Sequence, residues 1–243
     1  MIFENDFSDW LNTSLGIEVV LREREFFDRE VADIFGFNAL QLGLQEYNFL
    51  IRNRIADKLF LNMDQKPDIR CDFGALPIRT EAVDLLLMPH VLEFTSSPHF
   101  VLREATRVLR PEGHIMISMF NPWSIWGVYK LLKKNTIPWS GNFMSLSRLR
   151  DWLSLLNYEI IGGHMAIYIP PIEGSALRRK FAFMEKAGQR WWPFMGGVYF
   201  LHAIKKVAHI RLISQGWQKK IKSSRRPAMA RSCIALGKIK GND

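Results

Sequence analysis

Hydrophobic positions change period along the chain, and each change marks a new element. From Phe7 to Phe35, the residues Trp10, Leu15, Val19, Leu21, Phe26, Val31 and Ile34 recur at helical spacing among Glu and Arg, with Gly36 placed as a C-cap. This predicts a helical lead-in over residues 1–35. Asn38 to Gly43 is short, mostly apolar and stopped by glycine, which suits a first buried strand followed by a turn. Tyr47 to Leu61 reads as a weakly patterned helix. Glu81 to Met88 is apolar on both faces and ends at Pro89, too short for a typical helix and therefore a fully buried strand. Ser97 then offers an N-cap with Pro98 at the first helical position, and Val101, Leu102, Ala105, Val108 and Leu109 form one apolar stripe. Pro111 and Gly113 end that helix, and His114 to Phe120 returns as a strand. A strand, a helix and a strand in this order predict a parallel, right-handed crossover. Downstream, Ser145 caps a helix through Leu156, Tyr158 to Ile169 is strand-like, and Ser175 to about Gln189 is helical. Gly197 to Lys205 closes the sheet, antiparallel to its neighbour. Cys71 to Trp126 is the clearest stretch, with three strands and a ligand-binding edge between them.

Composition narrows the class. Of 243 residues, 48% are hydrophobic and 23% charged, enough for one substantial core and a small appendage. No apolar run approaches the roughly 20 residues needed to cross a bilayer, and the start of the chain is acidic rather than basic, so a soluble, cytoplasmic protein is expected. Cys71 and Cys233 are the two cysteines, giving neither a disulfide framework nor a metal-ligand cluster.

The formal charge of +9 is concentrated at one end. From Ser214 onward, eight basic residues face one acid, Asp243, so this segment carries +7 and the body is nearly neutral. Residues 36–213 are expected to form the domain and 214–243 a flexible basic tail, either simply solvated or in weak contact with nucleic acid or anionic lipid.

In open α/β sheets the ligand lies beyond the carboxyl ends of the strands. The residues just after each expected strand are Gly43 to Glu46, Asp64, Asp72 with Phe73, Pro89 with His90, and Asn121 with Pro122, an arc of polar groups around a cleft. Asp72 to Pro77, Val83 to Glu93, Leu102 to Gly113 and Ile117 to Pro122 resemble the later motifs of class I S-adenosylmethionine-dependent methyltransferases, type 11 subgroup. The specific resemblance covers about 55 residues, and a more diffuse one runs from about Phe35 to Lys206. It implies a Rossmann-like sheet, mostly parallel with an antiparallel closing strand, and S-adenosylmethionine as cofactor. It also implies that Asp72 accepts from the adenine amino group and that Phe73 packs on the ring. A carboxylate and an aromatic face are what recognition of that base requires. His90 matches a position near the methionine part of the cofactor or the substrate, as a base or as a strand-end histidine bonded to backbone. Asn121 and Trp123 are the candidate substrate contacts.

The departures from the family pattern are specific. Its first-strand acid and Gly-x-Gly loop, where backbone N–H groups approach the cofactor, correspond here to Gln41 and to Gly43-Leu44-Gln45. Glu46 is a replacement candidate for holding the methionine amine. Asp64 is the candidate for the ribose hydroxyls, 21 residues after Gly43. It lies only eight residues before Asp72, whereas a parallel crossover takes about a dozen. Either residues 57–63 form the second strand and the third is vestigial, or the Asp64 region is loop and a β/α unit is lost. The second reading is preferred on the stronger match at Asp72.

Trp123, Trp126, Tyr129 and Leu132 with Lys130, Lys133 and Lys134 form an amphipathic basic segment. It suits a packed helix, a substrate lid or a membrane-surface helix. Three functions follow from these readings. One is methyl transfer to a small or lipophilic acceptor by positioning alone, since no acid–base constellation appears. The others are an interaction module that has lost the cofactor, and nucleic-acid binding through the tail.

Overall fold

The computed structural model describes residues 3–62, 69–133, 136–172 and 180–206. Asp64, the basic tail and residues 175–179 of the helix expected from Ser175 fall outside the described residues.

The amino-terminal helical stretch is two helices, α1 (Phe3–Leu11) and α2 (Ser14–Val31). The break lies at Thr13, whose hydroxyl caps α2 by accepting from the Gly16 N–H at 3.2 Å. Gly16 is required there, because a Cβ would stand 2.3 Å from the Leu11 Cα.

The seven-stranded sheet comprises β1 (Asn38–Leu42), β2 (Asp57–Asn62), β3 (Ile69–Arg70), β4 (Val83–Pro89), β5 (Leu109–Phe120), β6 (Tyr158–Ala166) and β7 (Val198–Lys205). Their order is β3-β2-β1-β4-β5-β7-β6. The first five are mutually parallel, and β7 runs antiparallel to both β5 and β6. The Rossmann-like sheet with its antiparallel closing strand is therefore present.

Both strands that the Asp64 spacing set against each other exist. The dozen-residue crossover applies when the chain must travel back along a whole strand. β3 has only two residues, and Ile69 pairs beside Leu61 near the end of β2, so little return distance is needed. The first alternative, a second strand near residues 57–63 with a vestigial third, replaces the preferred one. What the sheet lacks is helices: residues 43–56, between β1 and β2, and 71–82, between β3 and β4, contain none. The helix expected over Tyr47 to Leu61 is turns followed by β2.

Helices α3 (Val91–Phe94) and α4 (Pro98–Val108) join β4 to β5, and α5 (Ile125–Leu132) and α6 (Leu146–Leu155) precede β6. Helix α7 (Phe183–Trp191) and a 3-10 turn, Pro193–Met195, lead into β7. Successive strand residues point to opposite faces, so β4 divides its apolar run between two cores. Leu86 and Met88 meet Val101 and Ala105 of α4 and Leu149 of α6, while Leu85 and Leu87 join Phe7, Val19, Phe26 and Phe27 of α1 and α2. The amino-terminal helices thus cover a face on which the first crossovers place no helix.

Candidate functional site at the carboxyl edge of the sheet

Strand β4 ends at His90, whose left-handed backbone (φ 52°) turns the chain into α3. That turn buries the imidazole completely. Its Nδ1 lies 2.6 Å from Glu93 Oε2, one turn along, and its Nε2 makes an ionic contact of 3.3 Å with Glu23 of α2. Ser118 of β5 donates its hydroxyl to Glu23, and the Phe120 N–H donates to Glu93. Glu23, His90, Glu93 and Ser118 are all buried, and Glu23 Oε2 has no hydrogen-bond partner. Burial disfavours a charged imidazole, but the two carboxylates outweigh it and push the His90 pKa up to about 10. Burial also raises Glu93, although the imidazole beside it and the Phe120 N–H oppose the shift.

Helix α1 seals this cluster. The Phe7 ring lies 5.4 Å from that of His90 and 4.5 Å from that of Phe94, and Trp10 packs edge-on against Phe120 and Trp126. Ser8 donates to Glu46 at 2.5 Å and the Tyr47 hydroxyl donates to Asn12 at 3.2 Å, tying α1 to the loop after β1.

That loop closes on itself around Gln41, which is buried in β1. The Gln41 NH2 reaches the carbonyls of Gly43, Leu44 and Tyr47 at 3.2, 3.2 and 2.8 Å, one of its two N–H groups being shared between acceptors. Its carbonyl accepts from the Phe49 N–H at 3.1 Å. Gly43 and Leu44 both take left-handed backbone, and Leu44 is buried. Leu44 bears a strain that glycine would not.

The other expected residues occupy different settings. Glu46 is exposed on the closed loop, and Pro89 is buried opposite Ser118 in the β4–β5 pairing. Asp72 is exposed just past β3, one carboxylate oxygen holding the Gly74 N–H at 2.9 Å. Phe73 turns inward and joins the core with Leu76 and Val101. Asn121 is buried, its amide donating to the Phe194 and Gly196 carbonyls at 2.9 and 3.0 Å and its oxygen accepting from the Trp123 N–H. Trp123 is exposed. Gly43, His90 and Asn121 thus lie along one carboxyl edge, with Asp72 beyond β3.

Three residues of this edge escaped the sequence reading, Glu23, Glu93 and Ser118. Glu23 falls on the stripe of Val19, Phe26 and Phe27, and Glu93 follows Val91 and Leu92. An acid set into an apolar stripe was the available signal, since unpaired acids are rarely buried.

A methyltransferase-domain family model matches residues 52–117, from the loop before β2 to the middle of β5. The sheet has the fold of solved class I methyltransferases. The family match begins within the loop between β1 and β2 and includes Asp72, His90 and Glu93. The chain is 43% identical over 95 residues to the uncharacterized protein YafS of Escherichia coli K12, covering 38% of this chain and 40% of that protein. It is 31% identical over 96 residues to a demethylmenaquinone methyltransferase of Chlamydia pneumoniae, covering 38% and 41%. It therefore spans about two-fifths of the length of the curated relatives it matches. A Thermotoga maritima S-adenosylmethionine-dependent methyltransferase structure superposes with a TM-score of 0.59 at 16% identity, over 83% of this chain and 99% of that one.

The two ends of the cofactor implied by this fold meet different surroundings. Past β3, the exposed Asp72 carboxylate fits an adenine amino group. After β1, the methionine end does not fit the arrangement described: Gln41 ties the loop shut, and the Phe7 and Trp10 rings cover the ends of β4 and β5. A hollow of about 470 Å³ lies instead among Phe37, Asn38, Arg79, Thr80, Glu81, Ala82 and Arg110. It opens at the amino ends of β1 and β4, away from the edge where open sheets of this kind bind ligand.

Proposed function

We propose that this chain is an S-adenosylmethionine-dependent methyltransferase acting on a small or lipophilic acceptor. The observation that carries the reading is the family match over residues 52–117, with Asp72 exposed just past β3 inside it. His90 is sealed between two carboxylates, so proximity rather than proton transfer by this ring is the chemistry proposed. When bound, the cofactor supplies the methyl group. Asp72 would hold the adenine end, Asp64 the ribose, and Glu46 the methionine amine once released from Ser8. Asn121 and Trp123 would border the acceptor.

A second reading, a methyltransferase-fold interaction module without cofactor, is favoured by the Gln41-closed loop. Calorimetry of the full chain with S-adenosylmethionine and S-adenosylhomocysteine separates the two. Saturable binding is expected, weakened by about 1.5–3 kcal/mol in Asp72→Ala, the range for a hydrogen bond to a charged group. A folded sample that takes up neither ligand at millimolar concentration overturns the enzyme reading, and unchanged affinity in Asp72→Ala removes that residue from the site.

A further inference from the structure

Helix α5 has two apolar faces but only one is covered. Trp126 is buried beneath Trp139 and Phe120, and Tyr129 packs on the Trp139 ring at 4.9 Å. Leu131 and Leu132 lie outside that contact, and Leu132 is 78% exposed. Trp123, just before the helix, is 75% exposed, and Trp191 at the end of α7 and Phe194 in the 3-10 turn after it are 71% and 75% exposed. The buried Asn121 binds these segments together, since it holds the Trp123 N–H and the Phe194 carbonyl at once. A fully used buried amide therefore presents two large exposed aromatic residues from one junction of the backbone.

The segments that carry them are basic. Lys130 and Lys133 lie on and just after α5, and Lys186 and Arg190 are exposed on α7. After Glu185 the sole acid is Asp243. Glu185 itself is turned inward, accepting from the Ile167 and Tyr168 N–H groups at 3.1 and 2.9 Å. Exposed Trp and Leu beside these cations complement a surface with an apolar interior and anionic headgroups. A second copy of the chain docked through the same face would bring these cationic segments against each other.

We infer that the face formed by Trp123, the outer side of α5 and residues 191–194 lies on the surface of an anionic lipid bilayer. Attachment is interfacial: no helix among the described residues is long and apolar enough to cross a membrane. The inference stands independently of methyl transfer.

The test is flotation of the full chain with phosphatidylcholine vesicles, with and without phosphatidylglycerol. The native chain is expected to float with the anionic vesicles. Combined Trp123→Ser, Trp191→Ser and Phe194→Ser should lower the partition coefficient at least about tenfold, because interfacial aromatic residues supply the apolar part of the binding. Leu131→Ser with Leu132→Ser is an independent second variant and should act in the same direction. Circular dichroism and a thermal melt establish that each variant is folded. Full-length chain with Lys219, Lys220, Lys222, Arg225 and Arg226 changed to Gln should still float, and its residual binding should still depend on the aromatic residues. The inference is overturned if the native chain stays unbound, or if both folded surface variants float like the native chain. It is equally overturned if tail neutralisation alone abolishes binding, or if the face proves to hold a dimer that the triple variant dissociates without vesicle binding.

Discussion

His90 and Glu93 face each other at 2.6 Å with no access to water, and Glu23 approaches the far side of the same ring at 3.3 Å. The charged imidazole offsets part of the charge of the two carboxylates, and that stabilisation is lost when the ring gives up its proton. A histidine unfolded in water titrates near 6.5, whereas His90 in the fold holds its proton to about pH 10. The folded chain therefore binds more protons across that interval, and its stability should be fully present below about pH 6.5 and decline as pH rises through about 10. Denaturant unfolding across this range checks the slope. His90→Ala leaves two buried carboxylates without a counter-charge and should cost about 3–5 kcal/mol near neutrality. A native-like unfolding midpoint for that variant would remove the charged ring from the account.

The acid limb has a separate origin. His114 Nδ1 and His202 Nε2 lie 2.9 Å apart across the paired strands β5 and β7. Burial first, and then the neighbouring His202, lower His114 to about 4, while burial lowers His202 although Glu30 opposes it. Both rings are therefore neutral in the fold at pH values where unfolded histidine is already charged. A lowered histidine contributes stability above its unfolded pKa of 6.5 and loses it as pH falls toward about 4. Together with the His90 limb, this predicts a stability maximum near the unfolded histidine pKa. His114→Gln should flatten the acid limb alone, and thermal melts through that interval in the variant and the native chain decide it.

The parts of this fold legible in the sequence are those whose signals are local. Leu85 to Met88 are apolar whichever face they meet, and Ser97 with Pro98 starts α4 where the N-cap pattern puts it. The antiparallel end of the sheet likewise followed from where strand-like runs fall. The second strand was harder, because a spacing rule for full-length crossovers does not govern a two-residue neighbour such as β3. At the carboxyl edge, the missing glycines were visible but what replaces them was not. Glu23 reaches His90 from 67 residues away in sequence, and Phe7 seals the cluster from a separate helix. No local period records such pairings. The role of Gln41 was hidden for another reason, since its four partners are loop backbone groups that every residue possesses.

Gln41 gives the last and sharpest prediction. A carboxylate at this position cannot donate to the Gly43, Leu44 and Tyr47 carbonyls, so Gln41→Glu faces three carbonyl acceptors with a negative charge. Gln41→Ala merely leaves them unpaired. Leaving buried polar groups without partners costs about 1–3 kcal/mol, so Gln41→Ala should lower stability by that order and Gln41→Glu by more, as read from urea unfolding. Hydrogen exchange at the Phe49 amide, whose acceptor is the Gln41 carbonyl, should speed up in Gln41→Ala. If the closed loop opposes the cofactor, loosening it lowers the cost of opening, and a ligand that prefers the open form gains apparent affinity as that form becomes more populated. Gln41→Ala should therefore bind S-adenosylmethionine more tightly while folding less stably. Parallel losses of stability and affinity would show instead that the closed loop is itself the binding surface.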